Sequence, residues 1–128
     1  AKLQQLLRVY SDWAYDALME AISKMNVDRV TIAMTGPNLE GFKVLKAFPQ
    51  NKLIGLGVLP TRNPEAETPR TIVERVERAM EFVPKEQITL NPECGFSPFT
   101  RNLGDLNRVY LGLKSMCQAA AMLRRKHG

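Results

Sequence analysis

The sequence predicts an α/β fold, the C-terminal part of a (β/α)8 TIM barrel made of about three strand–helix units. Short β-branched or apolar runs alternate with longer segments of helical period, the pattern of a parallel sheet with crossover helices. Such runs occur only three times. That is a small sheet for a free-standing doubly wound domain, but it fits the closing units of an eight-unit barrel. Residues 1–128 are therefore read as a single segment, the C-terminal portion of a barrel, with the upstream units on another part of the polypeptide. Ala1 is not a natural start residue, and we expect further chain before it.

From Lys2 to Met25, apolar residues running from Leu3 through Trp13 and Leu18 to Ile22 recur at three- and four-residue steps, the helical period. Ser11 and Asp12 are a candidate break, with the second helix capped there. Val27 to Met34 is short, partly β-branched and bounded by Asn26 and Gly36-Pro37, so it reads as a strand. A helix from Leu39 to Ala47 and a turn at Phe48-Pro49-Gln50-Asn51 follow. Lys52 to Leu59 reads as a second strand, apolar on both faces as in a buried parallel sheet. After a polar loop from Pro60 to Glu67, Thr68 is an N-cap with Pro69 at the first helical position, where its missing N–H is harmless. That helix runs to Val83, and Pro84-Lys85-Glu86 turns the chain into a third strand, Gln87 to Asn91. The loop 91–104 leads to a last helix capped by Asp105. Leu106, Val109, Tyr110, Leu113, Met116, Cys117, Ala120 and Leu123 are its expected buried stripe.

Of the 128 residues, 45% are hydrophobic and 24% charged, as expected of a globular chain that buries an ordinary core. No apolar run approaches the roughly 18 residues of a membrane span, and no membrane partner is expected. The net charge is +5, yet Lys and Arg are spread along helices beside acids, as in Glu74, Arg75, Glu77 and Arg78. The densest basic run, Arg124 to His127, lies where cations favour the dipole of a helix end. Aromatic residues do not interleave with the basic ones, so no nucleic-acid partner is expected. Two cysteines, Cys94 and Cys117, are too few for a disulfide scaffold, and a reducing cytoplasm is the simpler setting.

In parallel α/β folds the active site lies at the C-terminal ends of the strands. Here that position belongs to Ala33–Gly41, Pro60–Glu67 and Asn91–Gly104. Cys94 stands in the third loop, directly after a strand, with Pro92 before it and Gly95 after it. A thiol so placed is either a nucleophile or metal ligand at the catalytic mouth, or a small buried hydrophobe. Cys117, on an apolar helical stripe, reads as core. Glu93 and Asp105 are loop acids with nothing to favour a general-base role over plain solvation. His127, at a helix end, is a poor catalytic candidate. The GLG at 55–57 lies inside a strand and is no phosphate loop.

The segment ITLNPECGF (88–96) resembles the NPDCG-type signature of the cobalamin-independent methionine synthase family. VDRVTIAMTGP, KLIGLGVL, the ERVERAMEFV helix and the closing AAAMLRRKHG also resemble the C-terminal third of its short members, from about Tyr15 to Gly128. The resemblance implies a (β/α)8 barrel that holds Zn2+ and transfers a methyl or other alkyl group to a thiol. It makes Cys94 the last zinc ligand, with no catalytic residue assigned. The remaining ligands in the family are a His-x-Cys pair, which would fall just before Ala1, and a glutamate. That glutamate aligns with Ala33, which cannot coordinate a metal. Relatives with only His-x-Cys and Cys ligands include the epoxyalkane:coenzyme M transferases, which open epoxides with a zinc thiolate. The implied partners are a thiol, homocysteine or coenzyme M, an alkyl donor, and the upstream remainder of the barrel. Thr61, Arg62 and Asn63 fall where the family has substrate-facing polar residues. Arg62 is suited to an anionic carboxylate or sulfonate, or is a solvated loop arginine. The competing expectation is a non-catalytic α/β domain, either a degenerate relative without its metal or a packing module.

Overall fold

A computed structural model describes residues 15–36, 39–97 and 100–128. Three parallel strands, β1 (Arg29–Ala33), β2 (Leu53–Leu59) and β3 (Ile88–Pro92), lie side by side in the order β1-β2-β3. The helices are α1 (described over 15–24), α2 (Pro69–Met80) and α3 (Leu103–His127), with a 3-10 segment at Leu39–Ala47. The expected break at Ser11 and Asp12 lies outside the described residues.

Each strand is trimmed or shifted by a residue or two from its sequence-based limits, and side chains explain where the ladder begins. Lys52, expected in β2, is instead buried with its Nζ donating to the carbonyls of Met25 and Val27, both at 2.8 Å. The ammonium thereby satisfies two carbonyls in the turn that follows α1. Gln87, expected in β3, uses its side-chain amide to donate to Pro49 O at 3.0 Å and Lys52 O at 2.6 Å. The segment 39–47 is a 3-10 rather than an α-helix. Its buried contacts, Phe42 and Leu45, continue to Phe48 at steps of three, which is the 3-10 period. In α1 the buried residues are Met19 and Ile22, while Leu18, expected on the apolar stripe, is exposed.

Ile54, Leu56 and Val58 of β2 are fully buried and join Ile72, Val76 and Ala79 of α2 in the core. The other face of β2 is not the apolar surface its sequence suggests. It presents Leu53, Gly55 and Gly57, flanked in register by Arg29, Thr31 and Ala33 on β1 and by Thr89 and Asn91 on β3. Glycine is required there. A Cβ on Gly55 would lie 2.5 Å from Thr31 Oγ1 and 2.8 Å from Asn91 Oδ1. One on Gly57 would meet Glu93 Cα and Ile32 O, both at 2.9 Å.

α2 is capped as expected, with the Thr68 side chain accepting from Thr71 N at 3.1 Å and Pro69 in the first turn. The helix ends at Met80, and Val83 is buried in the turn beyond, its N–H still donating to Ala79 O at 3.0 Å. The N-cap of α3 is Asn102, not Asp105. Asn102 Oδ1 accepts from Asp105 N and Asp105 Oδ2 accepts from Arg101 N, each at 2.9 Å. Asp105 is thus the returning member of a capping-box-like pair.

The buried stripe of α3 also differs from expectation. Gly112 and Ala119 are buried, and Leu113, Met116 and Leu123 pack against the core, but Leu106, Tyr110 and Cys117 are exposed. Pro64 sets this rotation, since a Cβ on Gly112 would sit 2.5 Å from Pro64 Cβ. With contact made at Gly112 and Ala119, residues 106, 110 and 117 fall between about a third and nearly half a turn off the inward direction. Cys117 therefore faces a groove of about 780 Å³ between β3 and α3, lined also by Ile88, Leu90, Met116 and Leu123.

Candidate functional site at the strand ends

The three loops expected to form the mouth do meet there. β1 ends with Met34 N donating to Gly57 O, and β3 continues with Glu93 N donating to Leu59 O, both at 2.8 Å. Beyond these bonds the strands have no ladder in common, and a single carboxylate joins them. Glu93 Oε2 accepts from Thr35 Oγ1 at 2.5 Å, after β1. Glu93 Oε1 accepts from Thr61 N at 2.9 Å and from Thr61 Oγ1 at 3.2 Å, after β2. Burial alone would raise the Glu93 pKa. The hydrogen bonds from Thr35 and Thr61, with the nearby Arg75 charge, outweigh burial and hold it below the usual glutamate value. Glu93 is therefore a hydrogen-bonded carboxylate that joins two loops, not a simply solvated loop acid.

Cys94 follows directly and is exposed. Its Sγ lies 3.4 Å from Thr61 Oγ1, the same hydroxyl that touches Glu93. Thr61 is itself buried, so the thiol rests on a fixed hydroxyl. Behind this loop Arg75, nearly buried, donates from Nη1 to Val58 O at 2.8 Å and to Glu67 Oε2 at 2.7 Å, tying α2 to β2 and its loop. Ala33, the residue aligned with the family's glutamate, is exposed at the end of β1 in register with Gly57.

Asp105 and His127 stand apart from this cluster. Asp105 is engaged at the start of α3, its Oδ2 accepting from Arg101 N, and His127 Nε2 lies 2.9 Å from Glu77 Oε1 at the helix's far end. Arg62 and Asn63 flank the mouth. Asn63 takes a left-handed backbone (φ 50°, ψ 49°), which asparagine tolerates better than most residues, and Arg108 Nη2 donates to its Oδ1 at 2.8 Å. The Thr35–Glu93–Thr61 cluster is absent from the sequence reading. Its one available signal is positional, since two threonines and an acid fall one or two residues past the ends of three adjacent strands. Among the described residues no group of three or more His, Cys, Asp or Glu is placed to hold a metal ion.

These features define a parallel α/β protein with an accessible thiol at the carboxyl ends of its strands. The chain belongs to the family described as cobalamin-independent synthase, catalytic domain, which it matches over residues 9–122. It is 30% identical over 112 residues to the 5-methyltetrahydropteroyltriglutamate–homocysteine methyltransferase of Aliivibrio fischeri (strain MJ11), covering 88% of this chain and 14% of that protein. It is 25% identical over 115 residues to the methionine synthase of Saccharolobus solfataricus (strain P2), covering 90% of this chain and 32% of that one. The B12-independent methionine synthase from Shewanella sp. W3-18-1, solved in complex with selenomethionine, superimposes with a TM-score of 0.67 and 16% identity. That match covers 88% of this chain and 30% of that one, and at this identity the likeness is one of fold. The chain thus spans between 14% and 32% of the length of these curated relatives. Among the described residues no helix is long and apolar enough to cross a membrane.

Proposed function

We propose that this chain is the C-terminal portion of a (β/α)8 barrel that transfers a methyl group to the thiol of homocysteine, with Cys94 as one zinc ligand. The observation that carries the reading is the exposed Cys94 thiol, set in NPECG at the mouth of a chain that belongs to this family. Strands laid down in the order β1-β2-β3 without reversal support a barrel over a doubly wound sheet, in which the order reverses at a switch point. Zinc, when bound, would hold the acceptor thiol as a thiolate at neutral pH. Cys94 would supply one sulfur donor, the Thr61 hydroxyl would orient it, and Glu93 would fix both relative to β1. The other donors and the rest of the barrel would come from outside the described residues.

Ala33 favours a second reading. An alanine at the mouth end of β1 leaves the metal one anionic ligand short of the family's set, which makes a bound thiolate less nucleophilic. A strained electrophile such as an epoxide suits such a site, with coenzyme M as the thiol. Measuring zinc in the polypeptide that carries this segment, wild type beside Cys94→Ser, tests both readings. About one zinc per chain, lost in the variant, is the expected result. A zinc-free wild type purified without chelators would favour a degenerate packing domain and sink both.

A further inference from the structure

We propose that Thr61 is a positioning residue for the Cys94 sulfur, through a hydroxyl that serves two neighbours with one proton. It gives that proton to Glu93 while the thiol is free, and to the sulfur when the sulfur holds a metal. Only the second state rests on the thiol-transfer reading. Thr61 Oγ1 lies 3.2 Å from Glu93 Oε1 and 3.4 Å from Cys94 Sγ, so two successive residues reach the same hydroxyl. Among the described residues it is the one hydrogen-bonding neighbour of that sulfur. Thr61 is buried, and its place is fixed from two sides. Its N–H donates to Glu93 Oε1 at 2.9 Å. Beyond it, Asn63 Oδ1 accepts from Arg108 Nη2 at 2.8 Å and Pro64 packs on Gly112, which ties the loop to α3.

The direction of each bond follows from what the groups can give. An amide N–H only donates, so Glu93 Oε1 is an acceptor, and the hydroxyl that reaches the same oxygen spends its proton there. A hydroxyl has one proton and two lone pairs, so toward the free thiol Thr61 Oγ1 accepts. The bonds therefore run from Cys94 Sγ–H to Thr61 Oγ1, and from Thr61 Oγ1–H to Glu93 Oε1. Each polarises the next. A metal on the sulfur displaces the thiol proton to solvent, and the sulfur becomes an acceptor. The donor already in reach is the Thr61 hydroxyl, which turns from Glu93 to the sulfur. The loop after β2 keeps its Thr61 N–H bond to Glu93 and stays in place. Thr35 is bonded to the other carboxylate oxygen and takes no part in this exchange.

The test reads the S–H stretching band of Cys94 in the metal-free polypeptide, isolated as the infrared difference between each protein and its Cys94→Ser counterpart. Thr61→Val should move the band to higher frequency, to the position of the thiol in N-acetylcysteine amide. Thr61→Ser, which keeps the hydroxyl, should leave it at the wild-type position. Thr35→Val takes a different bond from Glu93 and should not move the band. If Thr61→Val leaves the band in place, or Thr35→Val moves it as far, the proposal is overturned. Where Thr61→Val fails to melt cooperatively, Thr61→Ala removes the same hydroxyl and is read instead. The metal-bound state is read by chelator competition. Thr61→Val should hold zinc about ten-fold less tightly than wild type, and Thr61→Ser equally. Equal retention in Thr61→Val overturns the turn of the proton. A wild type that binds no zinc sinks alkyl transfer together with the metal-bound state, while the band still decides whether Thr61 positions the thiol.

Discussion

The Glu93 carboxylate has three hydrogen bonds, and its pKa is held down in the folded chain by those bonds and the Arg75 charge acting against burial. A group whose folded pKa is depressed contributes stability that is present above its unfolded pKa and lost as pH falls through the folded value. Wild type should therefore lose melting temperature more steeply than Glu93→Gln on acidification below about pH 4. Parallel slopes in thermal melts would mean the three bonds do not favour the ionised form. The residue scale also separates the two cysteines. Hydropathy placed Cys117 in the core, but the small side chains of Gly112 and Ala119 decide which face of α3 turns inward, and small residues carry little hydropathy signal. Cys94, which its strand-end position left open between a thiol at the mouth and a small buried hydrophobe, is exposed past the end of β3.

At the scale of elements, the order of strands and helices was legible because each element carries a period and a boundary signal. Thr68-Pro69 at the start of α2 is the clearest case. What was not legible depends on partners distant in sequence. The limits of β2 and β3 are set by Lys52 and Gln87 bonding to carbonyls of other segments. The cap of α3 fell to Asn102 because both it and Asp105 are good capping residues, and only the backbone decides between them. Asn102→Ala should lower stability by about 1 kcal/mol in urea denaturation, and a loss below about 0.3 kcal/mol would discount its capping role. The site divides in the same way. The thiol was evident from its motif, while the Thr35–Glu93–Thr61 cluster joins residues up to 58 positions apart and leaves no local pattern.

For the whole molecule, the groove between β3 and α3 and the exposed Leu103, Leu106 and Tyr110 leave apolar surface uncovered among the described residues. If this chain is a portion of a barrel, that surface is covered by other units, and the segment studied alone should associate with itself. Sedimentation velocity should show a concentration-dependent mass for the isolated segment. Cys117→Lys, exposed on the groove wall, should reduce it without changing the melting temperature. A wild-type segment that stays monomeric at every concentration would count against the barrel. The other end of the molecule follows a different rule. Because the mouth is fastened by a carboxylate on two threonines, the position of the thiol depends on residues 35, 61 and 93 and little on what lies beyond them. The outer parts of the loops are thereby released from holding the reactive group. Insertions and substitutions there can accumulate over generations and change what the mouth admits, while the sulfur stays where it is.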